Sequence, residues 1–304
     1  MCRAGRDAIV RRSVVADGRR ISYLTVEGSP ANPTMLLIHG SAVSARSWTY
    51  QLQGLAHALR VVAVDLPGHG ESEPIPEVTV ASYANAVRRL LDELGTGPVF
   101  VAGHSLGGGV AQLFATRHPD MVKALVLVST CAKLRPSNGS ERILHYLPWP
   151  IRHIVFLWMA GKILFGPGAP WRAVLLGMEE LWRCAPDTIA KDAAAGMAMD
   201  LETAAQRLRV PTLIVCGSRD RLTPVALSRR LSELVSGSQL ETLPAGHMVP
   251  LEVPDALSER ILAFVASLAH AGEPPHAAIE RPRWKPFLRG LHDRVRTRLG
   301  RWIG

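Results

Sequence analysis

Residues 98–117 read PVFVAGHSLGGGVAQLFATR, and no other stretch limits the possible folds as tightly. Residues 99–102 form an apolar run of strand length that Pro98 opens. Gly103-His104-Ser105-Leu106-Gly107 follows without a spacer. A helical pattern then begins, with Val110, Leu113, Phe114 and Arg117 at steps of three and four until Pro119 stops it. A strand, Gly-x-Ser-x-Gly and a helix in direct succession push one serine out of a sharp turn, because the small residues let strand and helix pass closely. The helix amino terminus then lies under the hydroxyl, with free N–H groups and a partial positive charge where an oxyanion would form.

In isolation Gly-x-Ser-x-Gly also describes a glycine-rich turn that happens to hold a serine, and the flanking strand and helix favour the reactive reading. A serine hydroxyl is a poor nucleophile until a base takes its proton and a carboxylate orients that base. The rest of the chain has to supply both.

With 304 residues the chain can form one large α/β domain with an insertion, and 47% apolar residues can fill its core. It holds no run of about 20 apolar residues, so no spanning helix is expected. The nearest stretch, 154–165, is short and contains Lys162. The first residues carry Cys2, Arg3, Arg6, Arg11 and Arg12 without an apolar h-region, which argues against a secretory signal. Cys2, Cys131, Cys184 and Cys216 have neither metal nor redox spacing and read as thiols of a reducing compartment, so the cytosol is the expected location. The net charge of +9 divides simply: residues 1–20 carry +4, residues 272–304 carry +5, and the body has none. High basicity is a property of the two ends and says little about a substrate of the centre.

In chain order, strands are expected at 20–27, 34–38, 61–64, 99–102, 124–129, 212–216 and 239–243, with a Gly28-Ser29-Pro30 turn region after the first. Helices are expected at about 48–60, 80–94, 223–235 and 255–269. Such alternation belongs to a parallel sheet covered on both faces. The set His39-Gly40, Asp65-x-Pro67-Gly68-x-Gly70-x-Ser72, Gly103-x-Ser105-x-Gly107-Gly108, Gly217-x-x-Asp220 and Gly246-His247 resembles the α/β-hydrolase fold superfamily, over residues 20–270 and in the superfamily's order. The resemblance implies a mostly parallel central sheet with helices on both faces and a helical cap insertion at about 132–208. Residues 1–19 are left as a basic N-terminal segment and 272–304 as a basic tail. The fold carries many chemistries, so the resemblance is weak on substrate.

Candidate partners for Ser105 follow from strand ends. His247 stands in Leu243-Pro244-Ala245-Gly246-His247-Met248, after the last strand and before the final helix, and is the expected base. Most of the other ten histidines need another explanation: His39 and His69 lie in motifs that are usually structural in the superfamily, and His104 points the other way along the serine turn. Asp220 follows the strand at 212–216 and is the expected orienting acid. The superfamily's other acid position, at the end of 124–129, holds no Asp or Glu. The order Ser105, Asp220, His247 is the one this fold uses. By resemblance the oxyanion donors are the backbone N–H groups of Leu106 and of Ser41, with Ala42 as the alternative to Ser41.

Between the strands at 124–129 and 212–216 the insertion holds Trp149, Trp158, Trp171 and Trp182 and half of the eight methionines. These residues either dock the insertion on the core or roof an apolar pocket, with Trp149, Trp158 and Met248 as candidate lining. The expected activity is hydrolysis of a carboxylic ester of an apolar, acyl-type small molecule through an acyl-enzyme. A thioesterase or lactonase on the same triad, or a non-catalytic ligand-binding or receptor protein on the same fold, are the alternatives. No metal or organic cofactor is implied. In the tail, Leu288, Leu291, Val295, Leu299 and Trp302 recur at helical steps among arginines. Peripheral membrane association through this tail competes with a disordered or core-docked tail, and nucleic acid is disfavoured.

Overall fold

The parallel core of the sheet is built where the apolar runs are continuous. In a computed structural model of the protein, residues 8–27, 33–134 and 160–270 are described. Their strands are β1 (Ile9–Ala16), β2 (Arg19–Val26), β3 (Thr34–Ile38), β4 (Arg60–Val64), β5 (Val99–His104), β6 (Val122–Val128), β7 (Thr212–Gly217) and β8 (Gln239–Leu243). They form an eight-stranded sheet in the order β1-β2-β4-β3-β5-β6-β7-β8. Only β2 runs against its neighbours, and β4, β3, β5, β6, β7 and β8 are mutually parallel. Every residue of β3, β5 and β7 is buried, which is what unbroken Val, Leu and Ile runs require when helices cover both faces.

The helices are α1 (Thr49–Leu55), α2 (Val80–Glu93), α3 (Leu106–Arg117), α4 (Trp171–Arg183), α5 (Pro186–Ala198), α6 (Glu202–Arg207), α7 (Val225–Leu234), α8 (Val249–Glu252) and α9 (Pro254–His270). Thr79 and Ser82 form a reciprocal capping box that fixes the start of α2. From there Tyr83, Val87 and Leu90 pack with Val110 and Phe114 of α3 over Leu36, Val62, Val101 and Leu125 of the sheet. The alternate strand residues Met35, Leu37, Val61 and Ala102 are equally buried, so the sheet is covered on its other face too. Helices α4, α5 and α6 belong to the insertion between β6 and β7.

The expected α/β architecture and its strand order along the chain are found, with element ends displaced by a residue or two, except that the helix expected at about 48–60 ends five residues early, at Leu55. One strand was missed: β1 pairs along its full length with β2 inside the segment read as a basic N-terminal stretch. Its Arg11 and Arg12 break the apolar alternation, yet Arg11 pairs with the buried Asp65 and exposed Glu71. The chain divides into two units, Met1–Val265 and Ala266–Gly304. The tail at 272–304, the turn region at Gly28-Ser29-Pro30 and both Trp149 and Trp158 lie outside the described residues. Among the described residues no helix is long and apolar enough to cross a membrane.

Candidate active site

Ser105 sits between the end of β5 and the first residue of α3, with φ 54° and ψ −120°. A non-glycine residue adopts this region only when its surroundings force it, and the strain is the usual mark of a serine displayed at a turn. The forcing is visible on both sides. A methyl group at Gly103 would collide with the Gly107 carbonyl, and one at Gly107 would collide with the His39 carbonyl, so strand and helix meet only because both side chains are absent. The Ser105 N–H donates to Val128 O at 3.0 Å and the Ser105 carbonyl accepts from Thr130 Oγ1 at 2.7 Å. The turn is thereby pinned to the end of β6.

Asp220 and His247 are brought together. His247 Nδ1 lies 2.9 Å from Asp220 Oδ2, and both side chains are buried. Asp220 also accepts from the N–H of Leu222 at 2.9 Å and of Thr223 at 2.8 Å, and from Thr223 Oγ1 at 2.8 Å. Burial works to raise the Asp220 pKa, but the charge of His247 and the hydrogen bonds from His247 and Thr223 outweigh it, so the carboxyl is held below its ordinary value. Thr223 was not singled out from the sequence. Its place three residues beyond the aspartate, just before Pro224, is a common turn arrangement that carries no chemical signal of its own.

The loop that carries His247 is tied to the serine turn through His104. His104 Nε2 donates to His247 O at 2.9 Å, and the two rings lie 4.9 Å apart. Burial lowers the His104 pKa to about 3, so this ring is a neutral strut. His39 is a second neutral strut: Nδ1 donates to Gly40 O at 2.7 Å, Nε2 accepts from Leu66 N at 3.0 Å, and burial lowers its pKa to about 4. The expectation that His39 acts structurally agrees with its bonding.

The candidate oxyanion donors lie on the two loops that flank the turn. Gly40 packs so closely on Ser105 that an added Cβ would stand 3.0 Å from the serine Cβ. Neither the Ser41 nor the Leu106 N–H has a hydrogen-bond partner among the described residues. The alternative donor, Ala42, has its N–H engaged within the fold: it donates to Asp192 Oδ2, on α5, at 3.1 Å. Met248 is 2% exposed and packs with Val43, Phe165, Ala173 and Leu251, where the insertion meets the core.

A parallel sheet with a strained serine at the end of β5 and a buried acid–histidine pair at the ends of β7 and β8 defines a class of α/β hydrolases. The chain belongs to the alpha/beta hydrolase family, whose sequence model matches residues 35–260. It is 43% identical over 114 residues to a dihydrolipoyllysine-residue acetyltransferase component of an acetoin cleaving system from Cupriavidus necator, a match covering 37% of this chain and 30% of that protein. It is 28% identical over 236 residues to the pimeloyl-acyl-carrier-protein methyl ester esterase of Chromobacterium violaceum, covering 75% of this chain and 91% of the relative. A thermophilic esterase from Thermogutta terrifontis superposes with a TM-score of 0.73 at 24% identity, over 85% of this chain and 99% of that one, and shares the fold. Family membership supports a general role in hydrolysis.

Proposed function

We propose that the protein hydrolyses carboxylic esters of apolar, acyl-type small molecules through an acyl-enzyme on Ser105. The observation that carries this reading is the buried Asp220–His247 hydrogen bond, on a loop that His104 joins to the strained serine turn. In the proposed reaction His247 Nε2 removes the Ser105 proton while Oγ attacks the ester carbonyl carbon. The tetrahedral oxyanion is received by the Leu106 and Ser41 N–H groups. Collapse expels the alcohol, which takes the proton from His247, and the same imidazole then activates water to release the acid. Asp220 keeps Nδ1 protonated and stabilises the imidazolium, its own charge sustained by four hydrogen bonds. The methyl ester esterase activity of the Chromobacterium relative lends support to ester chemistry.

A fluorophosphonate probe tests the reading. It is expected to label the wild type at Ser105, and Ser105→Ala to lose both labelling and turnover of p-nitrophenyl esters. Absence of wild-type labelling would leave a ligand-binding relative on this fold. With an apolar acyl pocket, kcat/KM rises about three- to fourfold per methylene from short to medium chains, since each buried CH₂ contributes about 0.8 kcal/mol. A flat series would remove the apolar substrate and leave the hydrolase.

A further inference from the structure

The loop that presents the Ser41 N–H is held by a carboxylate that the mechanism does not use. Asp192, on α5 of the insertion, is 1% exposed and accepts three hydrogen bonds. Oδ2 receives the Ala42 N–H at 3.1 Å and His69 Nε2 at 2.9 Å, and Oδ1 receives the Tyr83 hydroxyl at 2.7 Å. The other ring nitrogen of His69 faces the Pro67 carbonyl at 3.3 Å. Both ring nitrogens thus face acceptors, an environment that suits an imidazolium. Ala42 itself has φ 61°, a left-handed conformation that alanine holds only under constraint.

We propose that Asp192, paired with a protonated His69, is the positioning residue of the oxyanion loop, so that a helix of the insertion sets the aim of a donor that belongs to the core. The inference rests on the ester-hydrolase reading given above. The geometry is direct: Ala42 N–H lies one peptide beyond the Ser41 N–H, and fixing the second peptide plane beside a left-handed residue restricts the first. Charge explains why the histidine is needed. A lone carboxylate this close to the oxyanion would oppose the negative charge formed there, and the imidazolium cancels it. The groups facing His69 are Asp192, Cys184 at the end of α4, Tyr83 of α2 at 6.2 Å between ring centroids, and the neutral His39 at 4.8 Å. Burial acts to lower the His69 pKa, yet the hydrogen bond and charge of Asp192 and the nearby Cys184 prevail and raise it to about 10. Asp192 is held below its ordinary value: burial opposes, and His69, Tyr83 and the Ala42 amide overcome it.

The test compares Asp192→Asn with Tyr83→Phe in the full chain, using p-nitrophenyl butyrate. Asp192→Asn is expected to lower kcat about 10²-fold, the scale of one lost oxyanion donor, with KM within about twofold and the rate of fluorophosphonate labelling reduced in parallel. Tyr83→Phe removes a bond to the same carboxylate without touching the loop, and is expected to keep kcat within about threefold. A folded Asp192→Asn variant with wild-type kcat, or equal losses in both variants, overturns the proposal. Nitrogen-15 NMR of the wild type provides a reading independent of activity and of variant folding: of the eleven imidazoles, at least one is expected to stay doubly protonated at pH 8.5. If all are neutral, the ion pair does not exist. If the wild type neither turns over esters nor labels, the ester reading falls while the NMR result still decides the pair.

Discussion

At the scale of single residues, the acid of the candidate triad is kept charged by its neighbours more than by solvent. Thr223 contributes two of the four hydrogen bonds to Asp220, and its hydroxyl also lies 3.2 Å from His247 Nδ1. Thr223→Val removes the hydroxyl and keeps the backbone bond. One hydrogen bond of about 1–1.5 kcal/mol corresponds to roughly a five- to tenfold loss in kcat, whereas Asp220→Asn is expected to cost about 10⁴ through the wrong imidazole tautomer. Burst kinetics on p-nitrophenyl acetate check the ranking, and a Thr223→Val loss as large as that of Asp220→Asn would contradict the assigned roles. Ser105, Asp220 and His247 could be named as candidates from the sequence because each stands in a short motif at a strand end. Thr223, Asp192 and Glu180 were not, since their work is done on partners that only the fold supplies.

Among elements, the insertion and the core are joined by buried carboxylates at several points, none marked by local pattern. Glu180 of α4 accepts from Ser44 N at 2.9 Å and from the Ser44 hydroxyl, 136 residues away in sequence. Glu252, at the end of α8, accepts from Gly246 N at 3.0 Å and from Gly166 N at 2.9 Å, while the N–H groups of His247 and Met248 donate to Leu164 O. The loop that carries His247 therefore shares its anchors with the insertion. In Glu252→Gln a carbonyl at the Oε2 place can still accept from both N–H groups, but the amide nitrogen at the Oε1 place then stands against the Gly246 N–H where an acceptor was, at about 1–3 kcal/mol. For a chain of this size that lowers Tm by roughly 2–4 °C per kcal/mol, and kcat falls as the His247 loop relaxes. Glu179 is the control: its pair with Arg46 is half exposed and screened by solvent, and Glu179→Gln is expected to leave Tm unchanged. Calorimetry of the two variants decides whether burial or charge alone matters. Periodicity made the sheet readable, because fully buried strands must be apolar throughout; β1 escaped it, because an edge strand can carry arginines that pair with acids elsewhere.

For the whole molecule, three buried histidines with opposite protonation set the pH range in which the fold is most stable. His39 and His104 are neutral in the fold, with pKa values lowered by burial to about 4 and about 3 from 6.5. Below pH 6.5 the unfolded chain binds protons that these two sites refuse, so stability falls as the solution is acidified toward those values. His69 has the opposite sign. Its folded pKa is raised to about 10, so its contribution is complete below 6.5 and is lost as pH rises through about 10. Each histidine contributes a slope of at most about 1.4 kcal/mol per pH unit within its window. The two limbs meet near pH 6.5, where the urea midpoint is expected to peak. His69→Gln should flatten the alkaline limb and also ease the acid one in part, since the His69 charge helps to lower the His39 pKa and to hold Asp192 below its ordinary value, while the contribution of His104 remains. Urea midpoints of both proteins between pH 4.5 and 9.5 provide the measurement, and an unchanged alkaline slope in His69→Gln would mean that His69 is not the charged partner of Asp192.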